Sequence, residues 1–132
     1  VACEKPVVFS TRLSKNLYPL GKNQIITYDD VLTNVEGGYD KVTGIFEAPT
    51  AGLYQMIATM WSNDGYAVDI EMIHNGTDVC YAKSPSQNQS MSMCASVIPM
   101  QENSRVWVRH LNNIGNYAYG NLYATFSGHK IM

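Results

Sequence analysis

Apolar and polar residues alternate one by one along much of this chain, the period of a strand with one buried face. The pattern is clearest after Gly52, where Tyr54, Met56, Ala58 and Met60 share one face and Gln55 and Thr59 the other. Val68, Ile70 and Met72 alternate with Asp69 and Glu71, which predicts a half-buried strand with a wet face. Met91, Met93, Ala95 and Val97 alternate with Ser90, Ser92 and Ser96, and Leu122, Ala124 and Phe126 share a face with Gly128. Pro49 cannot donate to a ladder, so the block from Glu47 to Gly52 is a connection. Asn75-Gly76, between two such runs, is the strongest short hairpin signal.

Together these signals predict strands at 6–12, 24–29, 39–47, 53–61, 67–74, 77–83, 90–99, 105–111 and 121–131. Short strands with frequent turns read as an all-β sandwich. With no helical period, repeat or linker, residues 1–132 read as a single globular domain, with 1–5 as an N-terminal tail. If consecutive strands run antiparallel, the loops 62–66, 84–89 and 112–120 gather at one end. The turns at 48–52, 75–76 and 100–104 gather at the other.

Composition narrows the function. Charged residues make up 15% of the chain, well below the usual quarter or so, and Asn, Ser, Gln, Thr and Tyr take their place. Such a surface suits association or neutral ligands such as sugars, and does not suit polyanions. A net charge of -2 with no Lys/Arg stripe argues against nucleic acid. No apolar run approaches the roughly 20 residues of a bilayer span. No leader precedes Val1, which reads as a processed start or a cut boundary.

The search for chemistry returns little. His74, His110 and His129 are isolated, without the spacing of zinc ligands. No nucleophile elbow, phosphate loop or dinucleotide fingerprint occurs, so an enzyme is not expected. The most suggestive stretch outside the predicted core is 112–121, Asn-Asn-Ile-Gly-Asn-Tyr-Ala-Tyr-Gly-Asn. Asn carboxamides match sugar hydroxyls, and Tyr offers a flat apolar face with a polar tip. The loop from Trp61 to Tyr66 has the same flavour and is expected at the same end. Candidate ligand-binding residues are therefore Trp61, Asn63, Asp64, Tyr66, Asn113, Asn116, Tyr117 and Tyr119. The alternative is that Asn and Gly only permit turns while the Tyr rings pack. Two sequons, at Asn75 and Asn88, are candidate glycosylation sites.

Tyr28, Asn34, Tyr39, Phe46, Gly52 and Tyr54 fall on a spacing that resembles the signature of the complement C1q globular-head domain, a relative of the tumour necrosis factor fold. Tyr28 and Met56 stand where Phe is usual, and Ala58 where an aromatic is usual. Val7-Val8-Phe9-Ser10, Val106-Trp107-Val108 and the ending Phe126-Ser127-Gly128 extend the resemblance over nearly the whole chain. It implies a two-sheet antiparallel jelly-roll sandwich, secreted to the extracellular space, that assembles as a homotrimer. With no Gly-x-y repeat, the chain reads as a stand-alone head without a collagen stalk.

By the same resemblance the trimer interface is expected on an aromatic-rich sheet, at Tyr54, Met56 and Tyr123. Some relatives bind calcium at the trimer apex through aspartates, but here Lys83 to Ala95 contains neither Asp nor Glu. No cofactor is therefore expected. Calcium would have to use Asp64, or Asp69 with Glu71, which read otherwise as solvated charges. The family's extracellular setting favours a disulfide between Cys80 and Cys94, against two free thiols in a cytosolic protein. A bond closing about 15 residues is worth roughly 3 kcal/mol on the loop-entropy model. Its geometry is open, because the two strands lie in facing sheets of the resembling fold. Cys3 would be left free or for an intermolecular bond.

The leading expectation is a lectin-like pattern-recognition protein of innate immunity that binds carbohydrate or microbial surfaces. The alternatives are a ligand for a protein receptor, of cytokine or synaptic-organiser type, and an extracellular matrix or biomineral-associated protein.

Overall fold

A computed structural model describes residues 5–85, 89–115 and 117–132, with 112–115 through their backbone alone. Cys3, Asn88 and Asn116, and the side chain of Asn113, lie outside the described residues. The strands are β1 (Val8–Arg12), β2 (Asp30–Val35), β3 (Tyr39–Asp40), β4 (Ile45–Glu47), β5 (Gly52–Trp61), β6 (Val68–His74), β7 (Thr77–Ser84), β8 (Met91–Met100), β9 (Arg105–Gly115) and β10 (Thr125–Lys130). Among the described residues they form two antiparallel five-stranded sheets, in the orders β2-β1-β10-β5-β8 and β3-β4-β9-β6-β7. This is the jelly-roll sandwich expected from the sequence.

The core lies between the sheets and is aromatic at its centre. Phe9 stacks on Phe46 with centroids 4.6 Å apart, and Tyr39, Tyr54 and Phe126 pack around the pair. The signature spacing has a physical reading here. Tyr28, Tyr39, Phe46 and Tyr54 are buried core rings. Asn34 holds the turn between β2 and β3, donating from Nδ2 to the Tyr39 carbonyl at 2.8 Å and accepting the Tyr39 amide on Oδ1 at 3.1 Å.

Three expectations need correction. The strand placed at 24–29 is not formed, beyond an isolated bridge of Ile25 to Arg109, and β2 at Asp30–Val35 lies outside every expected span. Residues 25–28 cross from one sheet to the other: the Ile26 amide donates to the Val108 carbonyl in one, and the Tyr28 hydroxyl to the Thr59 carbonyl in the other. The strand at 39–47 is split into β3 and β4 by a turn, in which Gly44 takes φ 78° and donates to the Asp40 carbonyl at 2.8 Å. The third is the wet face of β6. Asp69 and Glu71 are 5% and 2% exposed, and Glu71 Oε1 lies 2.5 Å from Arg109 Nε on the neighbouring strand. They are not solvated charges.

The two ends gather as antiparallel strands require. At one end Ser62 donates to the Ser90 carbonyl and the Tyr119 amide to the Trp61 carbonyl. At the other, Ala48 and Ser104 pair, and the Leu53 amide donates to the Met132 carbonyl.

Candidate functional site

The end that carries residues 61–66 and 117–123 presents two groups of aromatic rings. In the first, Tyr66 and Tyr117 stack with centroids 4.9 Å apart, and Tyr18 leans against both at 6.3 and 5.2 Å. Tyr18 and Tyr66 are 59% and 44% exposed, so the cluster faces solvent. In the second, Trp61, Tyr119 and Tyr123 pack together, with Tyr123 5.1 Å from Trp61 and 5.7 Å from Tyr119.

Different segments position each group. Tyr66 closes a short turn whose tip is Asp64-Gly65, its amide bonding the Asn63 carbonyl at 2.9 Å. Tyr117 is fixed from the opposite side, since Asn16 Nδ2 donates to its hydroxyl at 2.7 Å. The bridges Leu17 to Ala118 and Trp61 to Tyr119 tie the segment 117–119 between the other two. Of the residues proposed from sequence, Tyr66 and Tyr117 therefore meet in one cluster and Trp61 and Tyr119 in the other. Asn63 accepts a 3.4 Å bond from Gln89, and Asp64 is exposed at the turn tip.

Sequence reasoning missed Tyr18 and Asn16. Their segment has no strand period, and only a solvent-exposed Tyr-Pro in a turn-rich stretch hinted at it. Both lie about a hundred residues from their partners in the Asn/Tyr loop they complete, beyond the reach of any local pattern.

The residues proposed for a trimer interface are placed differently. Tyr54 and Met56 are completely buried within the single chain, on the core side of β5, so neither can meet another copy. Tyr123 is 50% exposed. The free apolar surface lies instead on the outer side of β8, where Met91, Met93, Ala95, Val97 and Pro99 are all exposed. Ser92, Cys94, Ser96, Ile98 and Met100 point inward, so the more apolar face of this strand is its outer one. Pairing with β5 sets Cys94 opposite Ala58, in register with the core side, and Cys94 is bonded there to Cys80. Ile57 and Trp61 belong to the same outer face on β5, which brings the second aromatic group to the margin of the apolar strip.

The remaining candidates are structural. Cys80 and Cys94 form a disulfide with Cα atoms 5.8 Å apart. Asn75 accepts the Arg105 amide on Oδ1 at 2.8 Å and reaches Ser104 with Nδ2, so this sequon asparagine is engaged in the turn it occupies. His110 is buried, with Nδ1 3.0 Å from the Gly21 carbonyl. Among the described residues no group of three or more His, Cys, Asp or Glu is placed to hold a metal ion.

Comparison with known proteins gives the architecture its family. The model of the C1q domain matches residues 8–131. The chain belongs to the C1q domain family. Among curated proteins this C1q domain is 32% identical over 112 residues to complement C1q tumor necrosis factor-related protein 6 of Mus musculus, covering 80% of the chain and 42% of that protein. It is 27% identical over 110 residues to complement C1q tumor necrosis factor-related protein 3 of Homo sapiens, covering 81% of the chain and 44% of that protein. The chain thus spans less than half the length of these relatives. Among solved structures, the globular domain of zebrafish complement 1qA protein superposes with a TM-score of 0.80 at 16% identity, covering 96% of this chain and 98% of that one. Eiger TNF from S. frugiperda superposes at 0.78 with 9% identity, covering 98% and 94%. At these identities the likeness is one of fold. No helix among the described residues is long and apolar enough to cross a membrane.

Proposed function

We propose that this C1q domain is a secreted recognition module that assembles as a homotrimer and binds glycans, including those of microbial surfaces, in the manner of an innate-immune lectin. The observation that carries the reading is the solvent-facing cluster of Tyr18, Tyr66 and Tyr117, three rings contributed by three separate segments. Tyrosine faces pack against the C–H faces of sugar rings while the phenol and nearby carboxamides bond hydroxyls. Asn16 and Asn63 stand beside the rings to do so. The disulfide supports an oxidising, extracellular setting. The exposed apolar strip of β8 supports association, because a run of five apolar side chains along one strand is unusual surface for a monomer.

A glycan array, run with and without chelator, tests the reading with wild-type protein and the Tyr66→Ala and Tyr117→Ala variants. Binding to a defined set of saccharides, lost in both variants, is expected. Absence of binding to every carbohydrate in both conditions removes the lectin assignment.

A second reading is a ligand for a protein receptor. It draws on the relatives' names, which join C1q to tumor necrosis factor, and on the exposed apolar strip of β8. Cross-linking to a cell-surface protein that no sugar competes away would favour it.

A further inference from the structure

Asn16 touches the tyrosine cluster through Tyr117 and also lines a polar cleft with its neighbours Ser14 and Lys15. This open cleft has a volume of about 330 Å³ and is lined by Ser14, Lys15, Asn16, Tyr119 and Asn121. Two contacts build it. Asn16 spans its wall, with Nδ2 donating to the Tyr117 hydroxyl at 2.7 Å and Oδ1 accepting the Gly120 amide at 2.8 Å. Gly120 in turn lies so close to Lys15 that a Cβ there would stand 2.2 Å from the Lys15 carbonyl oxygen. The two segments can close on each other only because position 120 has no side chain.

The chemistry of the lining is one-sided. It offers one ammonium, one hydroxyl, two carboxamides and one phenol, and no carboxylate. The carboxylate that packs on this segment, Asp29, is turned to Ser14, accepting its amide at 2.9 Å and its hydroxyl as well. Among the described residues lining the cleft Lys15 is the one charged side chain, beside the carboxamides of Asn16 and Asn121 and the phenol of Tyr119. Its charge also acts on Asp29 behind Ser14.

We propose that this cleft is an anion subsite of the saccharide site, taking the single carboxylate of an acidic sugar while the rest of the saccharide lies on the tyrosines. The proposal rests on the saccharide reading above and narrows it to a ligand class. Lys15 supplies the counter-charge, and the carboxamides of Asn16 and Asn121 supply donors that a carboxylate accepts and a neutral hydroxyl uses less strongly. One lysine matches one carboxylate, which agrees with a chain too poor in cations for polyanions. The carboxylate can belong to a uronate or to a sialic acid, and both carry it directly on a pyranose ring.

Calorimetric titration of the full chain with sialyllactose, a galacturonate disaccharide and lactose tests this. At least one acidic probe is expected to bind about tenfold tighter than lactose, the scale of one charge-assisted contact. That preference should shrink as NaCl is raised, because the lysine is exposed to solvent. Lys15→Gln should abolish the preference and leave lactose binding unchanged, and which acidic probe wins identifies the source of the carboxylate. Equal binding of acidic and neutral probes, a preference that survives Lys15→Gln, or no binding of either acidic probe overturns the proposal. The two readings separate in Tyr66→Ala. Acidic probes that still bind there leave the cleft standing and remove the tyrosine platform, whereas lactose binding without any acidic preference does the reverse.

Discussion

Cys80 on β7 and Cys94 on β8 join one sheet to the other at the same edge of the sandwich. Both strands are the last in their sheets, so each has a neighbour on one side only, and the bond stands where backbone pairing cannot. The cross-link closes a short loop, with a sequence separation of 14. On the chain-entropy model that constrains the unfolded state by about 3 kcal/mol. The Cys80→Ser, Cys94→Ser double variant is expected to melt several degrees lower than the wild type. Reduced wild type should match it, and identical melts with and without reductant would mean that the cross-link contributes nothing.

Phe46 occupies the middle of the aromatic core, 1% exposed and stacked on Phe9 with planes 16° apart. Tyr54 packs on it from β5 at 5.7 Å. Removing the ring leaves a hole bounded by other rings, which cannot collapse into it without losing their own contacts. Phe46→Ala should therefore cost roughly 3–5 kcal/mol in chemical denaturation. A loss below about 1 kcal/mol would place Phe46 outside the cooperative core.

How far the sequence speaks depends on what each segment pairs with. β5, β6 and β7 are legible because their alternation, or the Asn75-Gly76 turn between them, is a local property. The run from Ile25 to Tyr28 has the alternate burial of a strand, yet Ile26 is hydrogen-bonded to one sheet and Tyr28 to the other as the chain crosses between them. Periodicity reports burial and cannot report the ladder that causes it. β8 shows the same limit from the other side: its alternation is plain, but only the pairing with β5 decides that the methionines face outward. The Asn/Tyr loop was legible as a candidate site by composition. Tyr18 and Asn16, which complete that end, were not, because their contacts to it are entirely tertiary.

Asn16 invites a local test. It is exposed, and its carboxamide satisfies both the Tyr117 hydroxyl and the Gly120 amide. Since water can replace both bonds, Asn16→Ala should change global stability by no more than about 1 kcal/mol. Its effect should be local instead. Amide hydrogen exchange at Gly120 is expected to accelerate several-fold while core amides on β5 keep their protection. Unchanged exchange at Gly120 would remove Asn16 as the latch of this end.

Asp29 gives a pH signature. Burial pushes its carboxyl upward, but the hydroxyl and amide of Ser14 outweigh that and hold it below the ordinary value of 3.8, with Lys15 assisting. A carboxyl whose folded pKa is depressed binds its proton more tightly in the unfolded chain. Its contribution to stability is therefore complete above the unfolded value and is lost as pH falls through the folded one. Ser14→Ala removes one bond to the ionised form, so Asp29 should titrate at higher pH, read by its carboxyl carbon shift in NMR. The stability lost on the acid limb, which begins at the unfolded value in both proteins, should then be smaller and end at a higher pH. A titration that does not move would mean that the Ser14 hydroxyl does not hold the carboxylate.

The outer face of β8 bears on assembly. Met93 and Val97 are 59% and 51% exposed on a single chain, and they flank Ala95 on the same side. On β5, Leu53, Ile57 and Trp61 lie beside Pro99, Ala95 and Met91, while Gln55 and Thr59 lie beside Val97 and Met93. The strip therefore continues onto the next strand with polar residues between the apolar ones. If copies associate through this face, a carboxylate placed in it must be buried without a partner, which is strongly unfavourable. If they do not, the same carboxylate is simply solvated. Val97→Glu and Met93→Glu should therefore convert a trimer into folded monomers in light scattering, with the circular-dichroism spectrum unchanged. A wild-type protein that remains monomeric at high concentration, or variants that remain trimeric, would locate association elsewhere or exclude it.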